Sequence, residues 1–141
     1  MKRHALPQSW RERKISIDLI GAGGTGSQVL TGLARLHLAL VSLGGKGLEV
    51  LVYDPDTVSE ANIGRQLFAP SDIGQYKADV LVNRLNLYFG LSWESRPQRY
   101  EGGQHDHIHC HLLLTCVDSA KARRTIYSNL CKNHKADYWL D

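Results

Sequence analysis

Three cysteines in 141 residues, Cys110, Cys116 and Cys131, are odd in number and widely spaced, which excludes a disulfide framework and any zinc site built on CxxC pairs. Long apolar runs are missing too. The most apolar stretch, residues 33–43, is interrupted by Arg35 and His37 and falls short of the roughly 20 apolar residues that a membrane span needs. Residues 1–14 (MKRHALPQSWRERK) carry basic side chains with no apolar segment behind them, so they do not read as a secretory signal, and a cytoplasmic protein is expected. Charge of one sign is scarce outside that arm. Residues 1–14 hold five Lys/Arg against one Glu, whereas residues 15–141 hold 12 basic side chains against 13 acidic ones. A nearly neutral body gives no reason to expect a nucleic-acid or membrane partner, and the basic arm reads most simply as a solvated terminus. What is present, 43% hydrophobic and 22% charged residues, is the composition of one ordinary globular domain.

The organisation alternates. Residues 14–20 (KISIDLI) form a β-rich run that ends on glycines, although Asp18 is an unusual residue for a central strand. Val29, Leu33, Leu36, Leu40 and Leu43 then recur at helical spacing until Gly44 and Gly45. A second strand, residues 48–53 (LEVLVY), is closed by Asp54-Pro55-Asp56, and a polar loop runs from Thr57 to about Asp72. Ala78, Leu81, Leu85 and Tyr88 trace a second amphipathic helix that Gly90 ends. Arg96, Pro97 and Arg99 make the third strand, within residues 92–100, a sheet edge. Residues 111–117 (HLLLTCV) suit a buried parallel strand, Ala122, Ile126 and Leu130 share a helix face, and residues 138–140 begin another strand. Strand and helix in this order predict an α/β, Rossmann-like fold with a mainly parallel sheet and helices on both faces.

Gly21-Ala22-Gly23-Gly24-Thr25-Gly26 follows a strand and opens a helix, the context in which a GxGxxG pattern has chemical meaning. Glycines let the backbone approach a phosphate, whose charge meets free N–H groups at the helix start. Asp54, at the tip of the second strand, is placed to accept hydrogen bonds from ribose hydroxyls. It lies 28 residues beyond Gly26, against roughly 20 in the dinucleotide pattern. These features point to a nucleotide and leave NAD and ATP both open.

The loop beyond Asp54 differs from that of a dehydrogenase. Within Asp54-Pro55-Asp56-Thr57-Val58-Ser59-Glu60-Ala61-Asn62-Ile63-Gly64-Arg65-Gln66, and at Lys77 in IGQYK, an arginine and a lysine could flank a triphosphate, with Asn62 and Gln66 adding neutral hydrogen bonds. Taken singly, Arg65 and Lys77 would read as solvated surface cations. Asp118, at the carboxyl end of the fourth strand, would face the same crevice and could hold Mg²⁺ with phosphate oxygens.

These stretches carry a resemblance. GAGGTGS, DPDTVSEANIGRQ, IGQYK and CVDSAKAR resemble the four signature segments of the ThiF/MoeB superfamily, which includes the ubiquitin-activating enzymes, over residues 15–141. GAGGTGSQVLTGLARL, EANIGRQLF and the closing YWLD are most similar to the ThiF family of the PRTRC gene set. The resemblance implies an ATP-binding adenylation domain over residues 15–141 behind the arm at 1–14. Gly21, Gly23, Gly24 and Gly26 become the phosphate loop, Asp54 the ribose acid, Asn62, Arg65 and Lys77 phosphate contacts with Gln66 nearby, and Asp118 the magnesium ligand. It further implies a ubiquitin-like or sulfur-carrier protein as partner, a conjugating-enzyme-like protein in company, and a homodimer in which an N-terminal arginine reaches the other protomer's ATP; Arg11 and Arg13 are the candidates. The family's sheet continues beyond the point where this chain stops, and so does its transferable cysteine. The chain is therefore expected to be a piece of a longer protein, inactive alone.

The reaction so implied is attack by a C-terminal carboxylate on the α-phosphorus of MgATP, giving an acyl adenylate and pyrophosphate. A carboxylate is ionised at neutral pH, so positioning and charge neutralisation by Arg65, Lys77 and the magnesium on Asp118 would suffice. Three rivals remain at this stage: a NAD- or FAD-binding oxidoreductase domain, which leaves Arg65 and Lys77 unexplained; a non-catalytic scaffold half of an activating enzyme, in which such residues are commonly lost; and adenylation of a different acceptor, a modified tRNA base or a peptide carboxamide. His105, His107, His109 and His111 alternate and could share one side of an extended segment and bind a transition metal, but a polar loop running into a strand is the plainer account.

Overall fold

The computed structural model describes residues 5, 7–101, 110–133 and 136–141, with the side chains of residues 131–133 left aside. Among these, five parallel strands form one sheet: β1 (Ile15–Ile20), β2 (Leu48–Tyr53), β3 (Glu94–Arg96), β4 (Cys110–Thr115) and β5 (Ala136–Leu140), in the order β3-β2-β1-β4-β5. Helix α2 (Gly24–Ser42) joins β1 to β2, α3 (Lys77–Phe89) joins β2 to β3, and α4 (Ala120–Asn133) joins β4 to β5. The expected doubly covered parallel sheet is thus observed.

Side chains alternate across each strand, which divides the core in two. Ile17 and Leu19 of β1, Leu48, Val50 and Val52 of β2 pack with Leu30, Leu33 and Ala34 of α2 and Leu81, Val82 and Leu85 of α3. The other face sets Ile20, Leu113, Tyr100 and Cys110 against Ile126 of α4. The chain order reverses between β1 and β4, and an open α/β sheet offers its ligand crevice at such a point.

Three expectations change. The buried face of α2 runs through Leu30, Leu33 and Ala34 with Leu40 packed at its margin, while Leu36, to the side of that stripe, is 47% exposed and Leu43, at the helix end, 86%. Tyr88 is likewise 81% exposed, and Val82 takes its place beside Ala78, Leu81 and Leu85. The third strand shrinks to Glu94–Arg96, an edge as anticipated. In the arm, residues 9–12 form the short helix α1 (Ser9–Glu12), whose Trp10 ring stacks edge-on against His111 and Tyr138. Asp18 is half-buried, and its charge helps to raise the pKa values of Tyr53, Tyr100 and Cys110. No described helix is long and apolar enough to cross a membrane.

Candidate functional site

A crevice of about 740 Å³ opens at the carboxyl ends of β1, β2 and β4, lined on its glycine side by Gly21, Gly23 and Gly24. The four glycines of the loop do two different jobs. Gly21 has φ +97°, and a Cβ there would lie 2.7 Å from the Cys116 carbonyl oxygen; a Cβ on Gly26 would collide with the Gly21 carbonyl. Both are required by backbone packing. Gly23 and Gly24 face the crevice instead, with nothing within 4 Å of a Cβ on Gly24. The first turn of α2 has neither a side-chain cap nor an acidic residue, which leaves it suited to an anion.

Asp54 is 5% exposed and locks this loop to β2: its Oδ2 accepts from the Ala22 amide at 2.6 Å and its Oδ1 from the Asp56 amide at 2.8 Å. Burial raises its carboxyl above the ordinary 3.8, opposed by those two amides. The folded state therefore holds this proton more tightly than the unfolded chain does. The stability that it contributes is greatest below pH 3.8 and declines as pH rises through the raised value. Asp54→Asn is expected to flatten that part of the stability curve, as measured by urea denaturation at stepped pH.

The polar loop after β2 is ordered by its own side chains. Two 3₁₀ turns, Glu60–Asn62 and Pro70–Asp72, fold it back so that Arg65, Gln66 and Lys77 line one wall of the crevice. Lys77 is buried and pairs with Asp56 at 3.2 Å; Arg65 is exposed, its Nε donating to the Ala61 carbonyl at 2.9 Å. Gln66 lies over Gly23 with its Oε1 buried and lacking a hydrogen-bond partner, which is costly unless a ligand or solvent completes it. Asn62 is placed differently from the rest. It is buried inside the loop, its Oδ1 accepting from the Ser59 amide and hydroxyl at 2.9 and 3.2 Å, and it is not among the residues lining the crevice.

Asp118 stands exposed on the opposite wall. Among the described residues no cluster of three His, Cys, Asp or Glu side chains could hold a metal alone. A lone carboxylate is nonetheless what a magnesium ion needs when phosphate oxygens and water supply its other ligands. The open glycines, the orphaned Gln66 oxygen, the two cations and this acid together fit a magnesium-bound nucleotide.

Several crevice residues escaped the sequence reading. Tyr53 and Tyr100 meet edge-to-face at 5.0 Å, both raised in pKa by burial, Tyr53 to about 12. Arg99, Lys121 and Arg123 add cations, and Thr115 and Asp141 join β4 to β5. Arg123 lay within the CVDSAKAR stretch, four residues beyond Ser119, so one helical turn could have signalled it. The histidines at 105, 107 and 109 fall outside the described residues. His111 accepts from the Ser16 amide through Nδ1 at 2.9 Å, a structural role.

Burial holds the Cys110 thiol up at about 12, and burial likewise raises Cys116. Neither is poised as a nucleophile. Iodoacetamide at neutral pH is expected to leave both largely unmodified in the folded protein, as read by peptide mass spectrometry.

A profile of the ThiF family matches residues 7–138. The chain belongs to the ThiF family. It is 35% identical over 154 residues to ubiquitin-like modifier-activating enzyme 5 of Arabidopsis thaliana, an alignment covering 93% of this chain and 32% of that protein. It is 34% identical over 118 residues to the NEDD8-activating enzyme E1 catalytic subunit of Caenorhabditis elegans, covering 82% of this chain and 25% of that one. This ThiF-family chain thus spans a third or less of the length of these relatives. Among solved structures, the E. coli tRNA N6-threonylcarbamoyladenosine dehydratase TcdA in complex with ATP superposes with a TM-score of 0.64 at 18% identity, over 92% of this chain and 51% of that one. E. coli MccB with MccA gives 0.64 at 20%, over 87% and 35%. At those identities the likeness is one of fold.

Proposed function

We propose that this ThiF-family chain is the ATP-binding part of an enzyme that adenylates the C-terminal carboxylate of a ubiquitin-like or sulfur-carrier protein. The observation that carries the reading is the arrangement of one crevice: Arg65, Gln66 and Lys77 on one wall and Asp118 on the other, with the open Gly23 and Gly24 between them. A dinucleotide site accounts for the glycines and Asp54 but leaves two cations and an acid idle. The kinship with ubiquitin-like modifier-activating enzymes supports the choice of acceptor, and the motif likeness to the PRTRC branch supports the finer placement.

In this reading Asp54 holds the glycine loop against β2 and accepts from the ribose, while Gly23 and Gly24 admit the phosphates to the start of α2. Lys77 exchanges its partner Asp56, whose side chain is 66% exposed, for a phosphate oxygen. Arg65 and Lys77 offset charge that builds as the α-phosphorus is attacked. Asp118 would hold magnesium, which supplies Lewis-acid polarisation of the phosphates. No general base is needed, because the attacking carboxylate is already ionised. A homodimer with Arg11 or Arg13 directed to a second site belongs to the same proposal; both side chains are exposed.

The test is exchange of labelled pyrophosphate into ATP by the intact protein, run against a panel of ubiquitin-like and sulfur-carrier proteins ending in glycine. Exchange that requires one of these acceptors and is lost when its terminal glycine is removed is the expected result. Exchange indifferent to every carboxylate offered would contradict the assignment.

A further inference from the structure

We infer that Arg123 and Asp141 form a clamp that positions Asp118, a role that rests on the proposed magnesium site. Asp118 is exposed and hangs from the short segment after β4, so the direction of its carboxylate is set by the backbone before it. That backbone is pinned at each of the three preceding residues. The Thr115 hydroxyl donates to Asp141 Oδ1 at 2.5 Å and accepts from Trp139 Nε1 at 3.1 Å. The Cys116 amide donates to the Ile20 carbonyl at 2.8 Å. The Val117 carbonyl accepts from an Arg123 terminal nitrogen at 3.1 Å, while Arg123 Nε pairs with Asp141 Oδ1 at 3.1 Å.

Arg123 is thus the one described side chain holding the peptide that leads directly into Asp118, and Asp141 fixes the plane of its guanidinium. The fork geometry matters: Nε meets a carboxylate while a terminal nitrogen held in the same plane reaches a carbonyl, whereas a lysine ammonium could donate to both but would not fix their relative directions. The ion pair is partly exposed, with side-chain exposures of 48% and 31%, so it is worth little to overall stability. Its effect is directional. A metal ligand presented from an unclamped turn must be ordered at the moment of binding, and loss of such a supporting partner typically weakens metal affinity by about 10–100-fold.

Arg123 also lines the crevice, so it could instead touch a phosphate itself. Binding of ATP to the intact protein, with EDTA and then with Mn²⁺ as the probe ion followed by electron paramagnetic resonance, separates the two roles. Arg123→Ala is expected to leave ATP affinity in EDTA unchanged and to weaken Mn²⁺ binding to the ATP-loaded protein by about tenfold or more. Arg123→Lys should not restore it, and Arg123→Ala combined with Asp118→Ala should lose no more than Asp118→Ala alone. In the protein free of metal and nucleotide, amide exchange at Asp118 and Ser119 should quicken in Arg123→Ala. Asp141→Asn, which keeps an acceptor for Thr115 and Arg123, should fall between wild type and Arg123→Ala and serves if the alanine variant does not fold. Reduced ATP affinity in EDTA, additivity with Asp118→Ala, or unchanged Mn²⁺ binding would overturn the clamp. Wild-type protein whose bound ATP recruits no Mn²⁺ would instead remove the magnesium site on which the clamp rests.

Discussion

Asp118→Ala is expected to lower acceptor-dependent pyrophosphate exchange by about a hundredfold or more, while the circular dichroism spectrum and thermal midpoint stay within error of wild type. The size of the loss follows from the scarcity of carboxylates. Asp54 is buried against the Ala22 and Asp56 amides, and Asp56 lies beside Lys77 after β2, away from the end of β4 where Asp118 stands, so neither is placed to replace it. The intact fold follows from exposure, since the side chain supports no core. Exchange near the wild-type rate would remove Asp118 from the mechanism.

Alanine at two glycines two residues apart is expected to give opposite phenotypes. Gly26→Ala puts a methyl group into the Gly21 carbonyl, which the loop cannot evade without moving the start of α2. It should destabilise the protein by about 2 kcal/mol or more, at the upper end of overpacking costs. Gly24→Ala meets nothing within 4 Å and lies in the first turn of a helix, so stability should change by no more than about 0.5 kcal/mol in either direction. The space that its methyl group enters is the space assigned to the phosphates, so ATP affinity should drop by about tenfold or more. Chemical denaturation and nucleotide titration of the two variants read both effects. Equal ATP affinity in Gly24→Ala and wild type would mean that the crevice beside this glycine does not receive the phosphates.

The fold could be read from the sequence because alternation of β-rich runs with apolar helical faces leaves few arrangements, and glycines mark the ends of the helices. The exposed face of α2 was harder. Leu36 and Leu43 keep helical spacing with Leu33 and Leu40, and spacing alone does not say which side of an apolar stripe meets the sheet or where the helix ends relative to it. In the site, the glycine loop, Asp54, Arg65, Gln66, Lys77 and Asp118 were legible because each sits in one of the motifs that follow β1, β2 and β4, and the crevice gathers them apart from Gly26. Asn62 belongs to the same motif, yet its carbonyl oxygen closes a 3₁₀ turn with Ser59, a local hydrogen bond that competes with any ligand. The pairing of Arg123 with Asp141 stayed hidden for another reason. It spans α4 and β5, and nothing in a linear pattern reports the contact of a helix side chain with the end of a following strand.

Isothermal titration of the folded protein with ATP in magnesium, and separately with NAD, tests the central reading most directly. If Arg65, Lys77 and Asp118 serve a triphosphate, MgATP binds at least about tenfold more tightly than NAD, since every tenfold in affinity needs only about 1.4 kcal/mol and two charge-assisted phosphate contacts with a metal-holding acid exceed that. The preference should shrink when magnesium is chelated. NAD binding as tight as MgATP, or tighter, would contradict the assignment and return the crevice to a dinucleotide.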